Sequence, residues 1–480
     1  MIDVPPYAPY ALPCQIKART LNTSSIFIPH PVGQKPMKLT VHNLGRITDA
    51  ELDIKQLTVF SGHNGTNKTW LAWALFDLLK PVSTGPNSRE ILVSEDTDSL
   101  SAKVREKIKP IIDIIGQGTS TAVVTLDVKE LGVWSDEVLQ ATMEHDQLAS
   151  LLGEGTRIAS DAQVELTIPI NEMEAQHKSV VIGFEPEFGR LKVSSNWHFP
   201  DGSPRTITRT AIRSDWDEEA LTNISTWSLR QLLMTVLCFP AERAGLLLAM
   251  GNEDTDLDLP RPVNDFLNVM RLVRTTKKES RLRDQLLPLL NRIVGGEVRL
   301  TGAKGEERFI LDVADQEIPI TVASSLSRSV AGLVHYVRAF ASPGDLLLID
   351  ELEMNAHPAA QLALVELMAV MVSHGIQIVC TTHSPYVIDH LNNLLEAGRA
   401  PVDRQEKLAK DFQLQTSRAF LPADKVSVYA FEETSAGTQV KVTNAIDAKS
   451  GLITKSTFAP VTQRLSRLFN AALDASEASE

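Results

Sequence analysis

Cysteine is scarce in this chain: Cys14, Cys238 and Cys380 are the only three in 480 residues, widely separated and odd in number. That excludes a disulfide framework and a cysteine-rich zinc site, and it fits a reducing, cytoplasmic compartment. Long apolar runs are missing as well. The most hydrophobic window, 362–380, is interrupted by Glu366, Ser373, His374 and Gln377, so it reads as a helix followed by a strand and no membrane partner is expected. Net positive charge is lacking: 47 basic against 60 acidic residues leave −13, which argues against a surface coated for sequence-independent DNA binding. No basic stretch followed by an apolar core opens the chain; residues 1–36 instead hold seven prolines, so a secretory leader is not expected. Internal repeats, low-complexity tracts and sustained heptads are absent too.

What remains is an ordinary globular composition, 43% hydrophobic and 22% charged with a mean hydropathy of −0.05. At about 150 residues per domain the length suits roughly three domains with a substantial core. After the Pro-rich extension at 1–37, the runs KLTVHNLG, AELDIKQ and LTVFSG predict three strands, and the third leads into GHNGTNKT and a helix over Thr69–Lys80. The expected organisation is an α/β core in two parts, 38–120 and 301–400. Between them lie a β-rich segment at 121–217 and a helical insertion at 218–300, and a strand and helix segment at 401–480 closes the chain. Within these, a helix is predicted at 100–115, strands in TAVVTLDV, AQVELTIPI and SVVIGF, and helices at 218–237, 263–275 and 279–294, with Gly295 and Gly296 as the last stop. KVSVYAFEE and TQVKVTNAI read as strands. An amphipathic helix at 461–473 is followed by DASEASE, expected to fray.

Three constellations carry chemistry. The first is the loop Gly62, His63, Asn64, Gly65, Thr66, Asn67, Lys68, Thr69 between a strand and a helix. A polyphosphate site needs peptide N–H groups and a helix N-terminus aimed at the ligand, a lysine for the β and γ phosphates, and a hydroxyl on Mg²⁺. Gly62, Asn64, Gly65, Asn67, Lys68 and Thr69 stand where those tasks fall, and ATP with Mg²⁺ is the expected ligand. Asn67 departs from the usual glycine. It tolerates left-handed dihedrals, but its side chain is expected near the phosphates, slowing turnover more than binding. The second is GDLLLIDELEMNAHP, an apolar strand ending in Asp350 and Glu351, which suit a Mg²⁺ ligand and a general base. The third, IQIVCTTHSPYVIDHL, is a further buried strand that brings His383 to the same sheet edge, where it could contact a γ phosphate or position water. Two weaker candidates stand beside these. Glu242 and Arg243 either line the nucleotide or an inter-subunit surface or form a structural ion pair. The basic stretch 271–284, net +4, is either a solvated helix face or a contact for nucleic acid or an acidic partner.

In this order, the motifs resemble the ATPase heads of the ABC superfamily, in the branch with RecF-type and SMC-like repair ATPases, the OLD family and bacterial antiphage ATPases. KLTVHNLGRITDAELDIKQLTVFSGHNGTNKT is similar to that branch's opening, IDELEMNAHPAAQ to its Walker B and D-loop, and TTHSPYVI to its histidine switch. VASSLSRSVAGLVHYV sits where the signature motif belongs, in a serine-rich form; Leu352 replaces a common proline. The resemblance implies an ABC-type P-loop head with a mixed sheet, and two copies sandwiching ATP. Ser325 would then reach the partner's nucleotide, with Glu353, Asn355 and His357 at the seam. Glu351 and His383 are the implied catalytic pair, Thr69 and Asp350 the metal ligands. After His383 no Asp-x-Asp occurs in the remaining 97 residues, so the Toprim nuclease of the OLD family is not expected. By resemblance to PARIS-type or Septu-type systems, the chain would be a sensor and scaffold for a separate nuclease effector, with a phage protein as trigger. A RecF/SMC-like repair ATPase acting on DNA, and a pure ATP-binding module, remain as alternatives.

Overall fold

The computed structural model describes residues 36–79, 104–107, 109, 122–127, 138–153, 156–169, 179–187, 190–198, 204–212, 236–249, 259–275, 279–302, 308–435, 437–454 and 458–477. Strands β1 (Met37–Leu44) and β2 (Ile47–Ile54) form an antiparallel hairpin in which β1 alternates buried and exposed residues, the period of a half-covered strand. β3 (Leu57–Gly62) is buried at every position, as its unbroken apolar pattern requires, and leads through the loop into α1 (Lys68–Leu79). The strands β4 (Ala122–Asp127), β5 (Val138–Glu144), β6 (Gln163–Pro169), β7 (Ser179–Glu187), β8 (Arg190–His198), β9 (Pro204–Ile212) and β10 (Val236–Phe239) follow, with α2 (His145–Leu152) between β5 and β6. Then come α3 (Arg243–Ala249), α4 (Arg261–Thr275) and α5 (Arg283–Val294), the three strands β11 (Glu297–Thr301), β12 (Arg308–Val313) and β13 (Gln316–Pro319), and α6 (Ser325–Ala339). The last part holds β14 (Leu346–Ile349), α7 (Pro358–Ser373), β15 (Gln377–Thr382), α8 (Pro385–Gly398), α9 (Val402–Leu408), β16 (Val426–Glu433), β17 (Val440–Asn444) and α10 (Ala459–Glu477).

Ten strands make one mixed sheet in the order β10-β14-β15-β3-β16-β17-β2-β1-β6-β5. From β10 to β16 neighbouring strands are parallel, so their C-terminal ends share one edge, where ligands of open α/β sheets sit. From β16 onward most pairs are antiparallel. Alternate residues of the parallel strands feed two cores. Leu347, Ile349, Ile378 and Cys380 pack with Phe266, Leu286, Val334 and Leu367 from α4, α5, α6 and α7, while Leu346, Leu348, Val379 and Phe60 pack with α1 and the β1-β2 hairpin. Each fully buried leucine in these layers contributes about 1.5–3 kcal/mol of transfer free energy. α1 is apolar nearly all round because it is enclosed: ten of its twelve residues are buried.

The fold is therefore a mixed α/β architecture with the lysine loop at the C-terminal edge of its parallel strands. β5 and β6 join the main sheet through β1, and β4, β7, β8 and β9 form a separate antiparallel sheet. Two local readings are corrected. Val236 and Leu237 are strand rather than the end of a helix, because pairing with Leu346 and Leu347 of β14 overrides their local pattern. Asp474–Glu477 continue α10 instead of fraying. Of the helix predicted at 100–115, residues 104–107 and 109 are described and helical, and 218–235 lie outside the described residues.

Candidate nucleotide site

The loop after β3 closes on itself around a lysine. Lys68 is 3% exposed, and its Nζ donates to the carbonyls of Gly62 at 3.0 Å and His63 at 2.7 Å and to Thr66 Oγ1 at 3.1 Å. Burial lowers its pKa to about 8, although Asp350, Glu351 and Glu353 pull the other way. Gly62 is demanded by close approach, since a Cβ there would lie 2.4 Å from the Phe431 carbonyl of β16. Gly65 at φ 73° and Asn67 at φ 61° give the two left-handed bends that turn the chain around the Lys68 ammonium. Asn64 is exposed at the loop's tip.

Asn67 packs against the β1-β2 turn. Its Oδ1 accepts from the peptide N–H of Arg46 at 2.9 Å, and its amide lies against Gly45, in the β1-β2 turn. The Asn67 side chain, expected near the phosphates, is held by the β1-β2 turn. Arg46 completes the brace. Its guanidinium donates to the carbonyls of Gly65 and Gly437 and pairs with Glu433, so turn, loop and β16-β17 hairpin are bolted together. Sequence reasoning missed this residue; its place directly after Gly45 in a predicted hairpin was the available signal.

At the C-terminal end of β14, Asp350 is 2% exposed. Its Oδ1 accepts from Thr69 Oγ1 at 3.1 Å and from Thr381 Oγ1 at 2.6 Å, joining the loop, β14 and β15. Burial raises the carboxyl's pKa, and the two hydroxyls oppose the rise. A carboxylate and a hydroxyl at a helix N-terminus are hard oxygen donors of the kind Mg²⁺ takes, so Asp350 and Thr69 fit that ion. Glu351 lies one residue on, in the left-handed region at φ 47°, which costs a non-glycine residue free energy and needs support. Thr381 Oγ1 accepts its N–H at 2.8 Å, and Arg243 donates to its carbonyl at 3.0 Å. Its carboxylate stands 3.5 Å from His383 Nε2, and hydrogen bonding to His383 holds its pKa below the usual value against the opposing effect of burial.

Arg243 directs its guanidinium to backbone carbonyls, and among the described residues no carboxylate pairs with it. It is 5% exposed and donates to the carbonyls of Ser329, Pro240, Asp350 and Glu351, stapling α6 to the acidic strand end. Glu242 beside it is exposed. Glu353 turns inward, accepting from the peptide N–H of His383. Asn355, also left-handed at φ 63°, is exposed and donates to Ser329 Oγ at 2.9 Å, and His357 caps α7 by accepting from the Ala359 N–H. Ser324 is the N-cap of α6, accepting from the Ser327 N–H at 3.1 Å, which leaves Ser325 exposed in the first turn. The structure thus gathers Gly62, Gly65, Lys68, Thr69, Asp350, Glu351 and His383 along one sheet edge. Ser325 and Asn355 are joined to that edge through α6 and Ser329. In the basic stretch, Arg271 and Arg281 are exposed and Arg283 pairs with Glu279 at 2.6 Å; the side chains of Arg274, Lys277 and Lys278 lie outside the described residues.

Residues 251–389 match the family model described as "AAA domain, putative AbiEii toxin, Type IV TA system". That stretch holds α6, the acidic strand end and His383, and starts after the lysine loop. No curated protein matches the chain. Among solved structures, an Smc head bound to the C-winged helix domain of ScpA is similar at 10% identity and a TM-score of 0.35, covering 85% of this chain and 97% of that one. The SMC head domain from Thermotoga maritima gives 10% identity and a TM-score of 0.30, with 85% and 98% covered. An Smc head with an extended coiled coil, bound to the C-terminal domain of ScpA derived from Pyrococcus furiosus, gives 10% and 0.33, with 85% and 96% covered. These values are too low to carry detail across. The family match covers under a third of the chain, and the strand, loop and helix geometry around Lys68 lies outside it. Among the described residues no helix is long and apolar enough to cross a membrane.

Proposed function

We propose that this chain binds and hydrolyses ATP, closes against a second copy around the nucleotide, and acts as a sensor and scaffold for a separate nuclease effector in antiphage defence. One observation carries the catalytic half: Thr69, Asp350, Thr381, Glu351 and His383 form a continuous chain of contacts from the lysine loop to the strand ends. Lys68 supplies the cation for the β and γ phosphates, and the N-terminus of α1 supplies peptide N–H groups. Mg²⁺, when bound, neutralises phosphate charge. Glu351, kept ionised by His383, accepts the proton of the attacking water, and His383 orients that water or the terminal phosphate. Closure is supported by the exposure of Ser325 together with two large apolar neighbours of the site, Val322 at 71% and Tyr386 at 50%. The effector and the defence role rest on the motif resemblance, and the type IV toxin-antitoxin description of the matched model agrees with a two-component setting.

The test joins hydrolysis to assembly. Wild type, Lys68→Ala and Glu351→Gln are compared for ATP binding, for turnover and for mass with and without ATP, alone and with the protein encoded next to it. Lys68→Ala is expected to lose binding, and Glu351→Gln to bind, stall and hold the ATP-dependent assembly. Unchanged affinity in the first or unchanged turnover in the second refutes the assignments. Stimulation by DNA with no captured partner would favour the repair reading.

A further inference from the structure

Every described side chain of α10 is exposed. Val461, Leu465, Leu468, Phe469 and Leu473 are 48%, 63%, 57%, 67% and 45% exposed, and their spacing of three and four residues sets them on one face. A helix of this length gains most of its stability from packing such a face, which no described residue covers. Its charges are divided by position. Residues 459–468 contain Arg464 and Arg467 and no acid; residues 470–480 contain Asp474, Glu477 and Glu480 and no base. That polarity runs against the helix macrodipole, which favours acids at the N-terminus and bases at the C-terminus, so it is unfavourable for the lone helix.

The same polarity is self-complementary in one arrangement. We propose that α10 pairs antiparallel with α10 of a second copy of this chain. A two-fold axis near Leu468 and Phe469 then sets the basic half of each helix along the acidic half of the other, with Leu465, Leu468 and Phe469 stacked about the dyad. A parallel pair would align like charges at both ends. Nineteen residues give a seam about 28 Å long, burying less than the roughly 800 Å² per partner of a standard interface, so the contact is modest alone. It needs no nucleotide, and it raises the effective concentration of one ATPase core at another.

The experiment uses the full chain carrying Lys68→Ala, without nucleotide, so that ATP-dependent closure is silent and its failure is separable. Sedimentation over a range of concentrations is expected to show a monomer–dimer equilibrium. Leu468→Glu should raise its dissociation constant about tenfold or more. Arg464→Glu with Arg467→Glu should weaken association likewise, and adding Asp474→Arg and Glu477→Arg to the same chain should restore it. Because α10 is exposed, circular dichroism should show every variant folded. A chain monomeric throughout, a dimer that survives Leu468→Glu, or a four-fold charge exchange that fails to restore pairing overturns the proposal. The first result would point instead to a covering segment from residues 1–35 or to another partner.

Discussion

Replacing Arg243 by methionine should injure stability and turnover together. The guanidinium donates to four carbonyls, those of Ser329, Pro240, Asp350 and Glu351, at 3.1, 3.0, 2.7 and 3.0 Å. Pro240 and Glu351 keep a second donor each, the peptide N–H groups of residue 243 and Met354. The Asp350 carbonyl loses the shortest of the four bonds inside a buried strand end. Leaving one buried carbonyl without its donor costs about 1–3 kcal/mol, and the weakening of three charge-assisted bonds adds to it. Against this stands relief from burying the cation, since burial already lowers the pKa of Arg243. The net expectation is about 2–4 kcal/mol of lost stability by urea unfolding. Turnover should fall further than stability explains, because the left-handed backbone at Glu351 loses one of its three ties. A variant within about 0.5 kcal/mol of wild type and with unaltered turnover would refute the staple.

Four further outcomes follow from the state of Lys68 and from the fit of the loop against the β1-β2 turn. ATP affinity should weaken as pH rises through about 8, where Lys68 in the free protein sheds its proton; titration calorimetry across that range checks it. The sign for folding is opposite: the depressed pKa means the unfolded chain holds this proton more tightly, so the group's contribution to stability grows between pH 8 and the unperturbed lysine value. Asn67→Gly should change turnover by less than about threefold, because the side chain is held by the β1-β2 turn; a tenfold gain would show otherwise. Gly45→Ala puts a Cβ 2.7 Å from the Asn67 amide at a φ of 61°, so it should raise the KM for ATP while Asn67→Gly in the same chain partly rescues it.

The site's outline was legible because its parts are local: an apolar strand, a glycine and lysine turn and an apolar helix declare themselves within residues 57–79. Asp350, Glu351 and His383 were legible because parallel strands end on a common edge. Long-range braces were not. The direction of Asn67 is set by Gly45 and Arg46 in an earlier hairpin, and Thr381 gains meaning only when β15 lies beside β14. Arg243 read as an ion-pair candidate because sequence shows charges, whereas its partners are backbone carbonyls. Val236 and Leu237 misled for the same reason, their strand being imposed by β14.

The flanks of β3 bear on synthesis. Its two neighbours, β15 and β16, come more than three hundred residues later, and the Phe431 carbonyl is the wall against which Gly62 is fitted. A ribosome-bound chain that has not yet released residue 431 leaves one side of β3 unpaired and the lysine turn unsupported, so such distant pairing delays completion. The lysine turn therefore acquires its wall only after residues 377–382 and 426–433 have been synthesised, some three hundred residues after the turn itself.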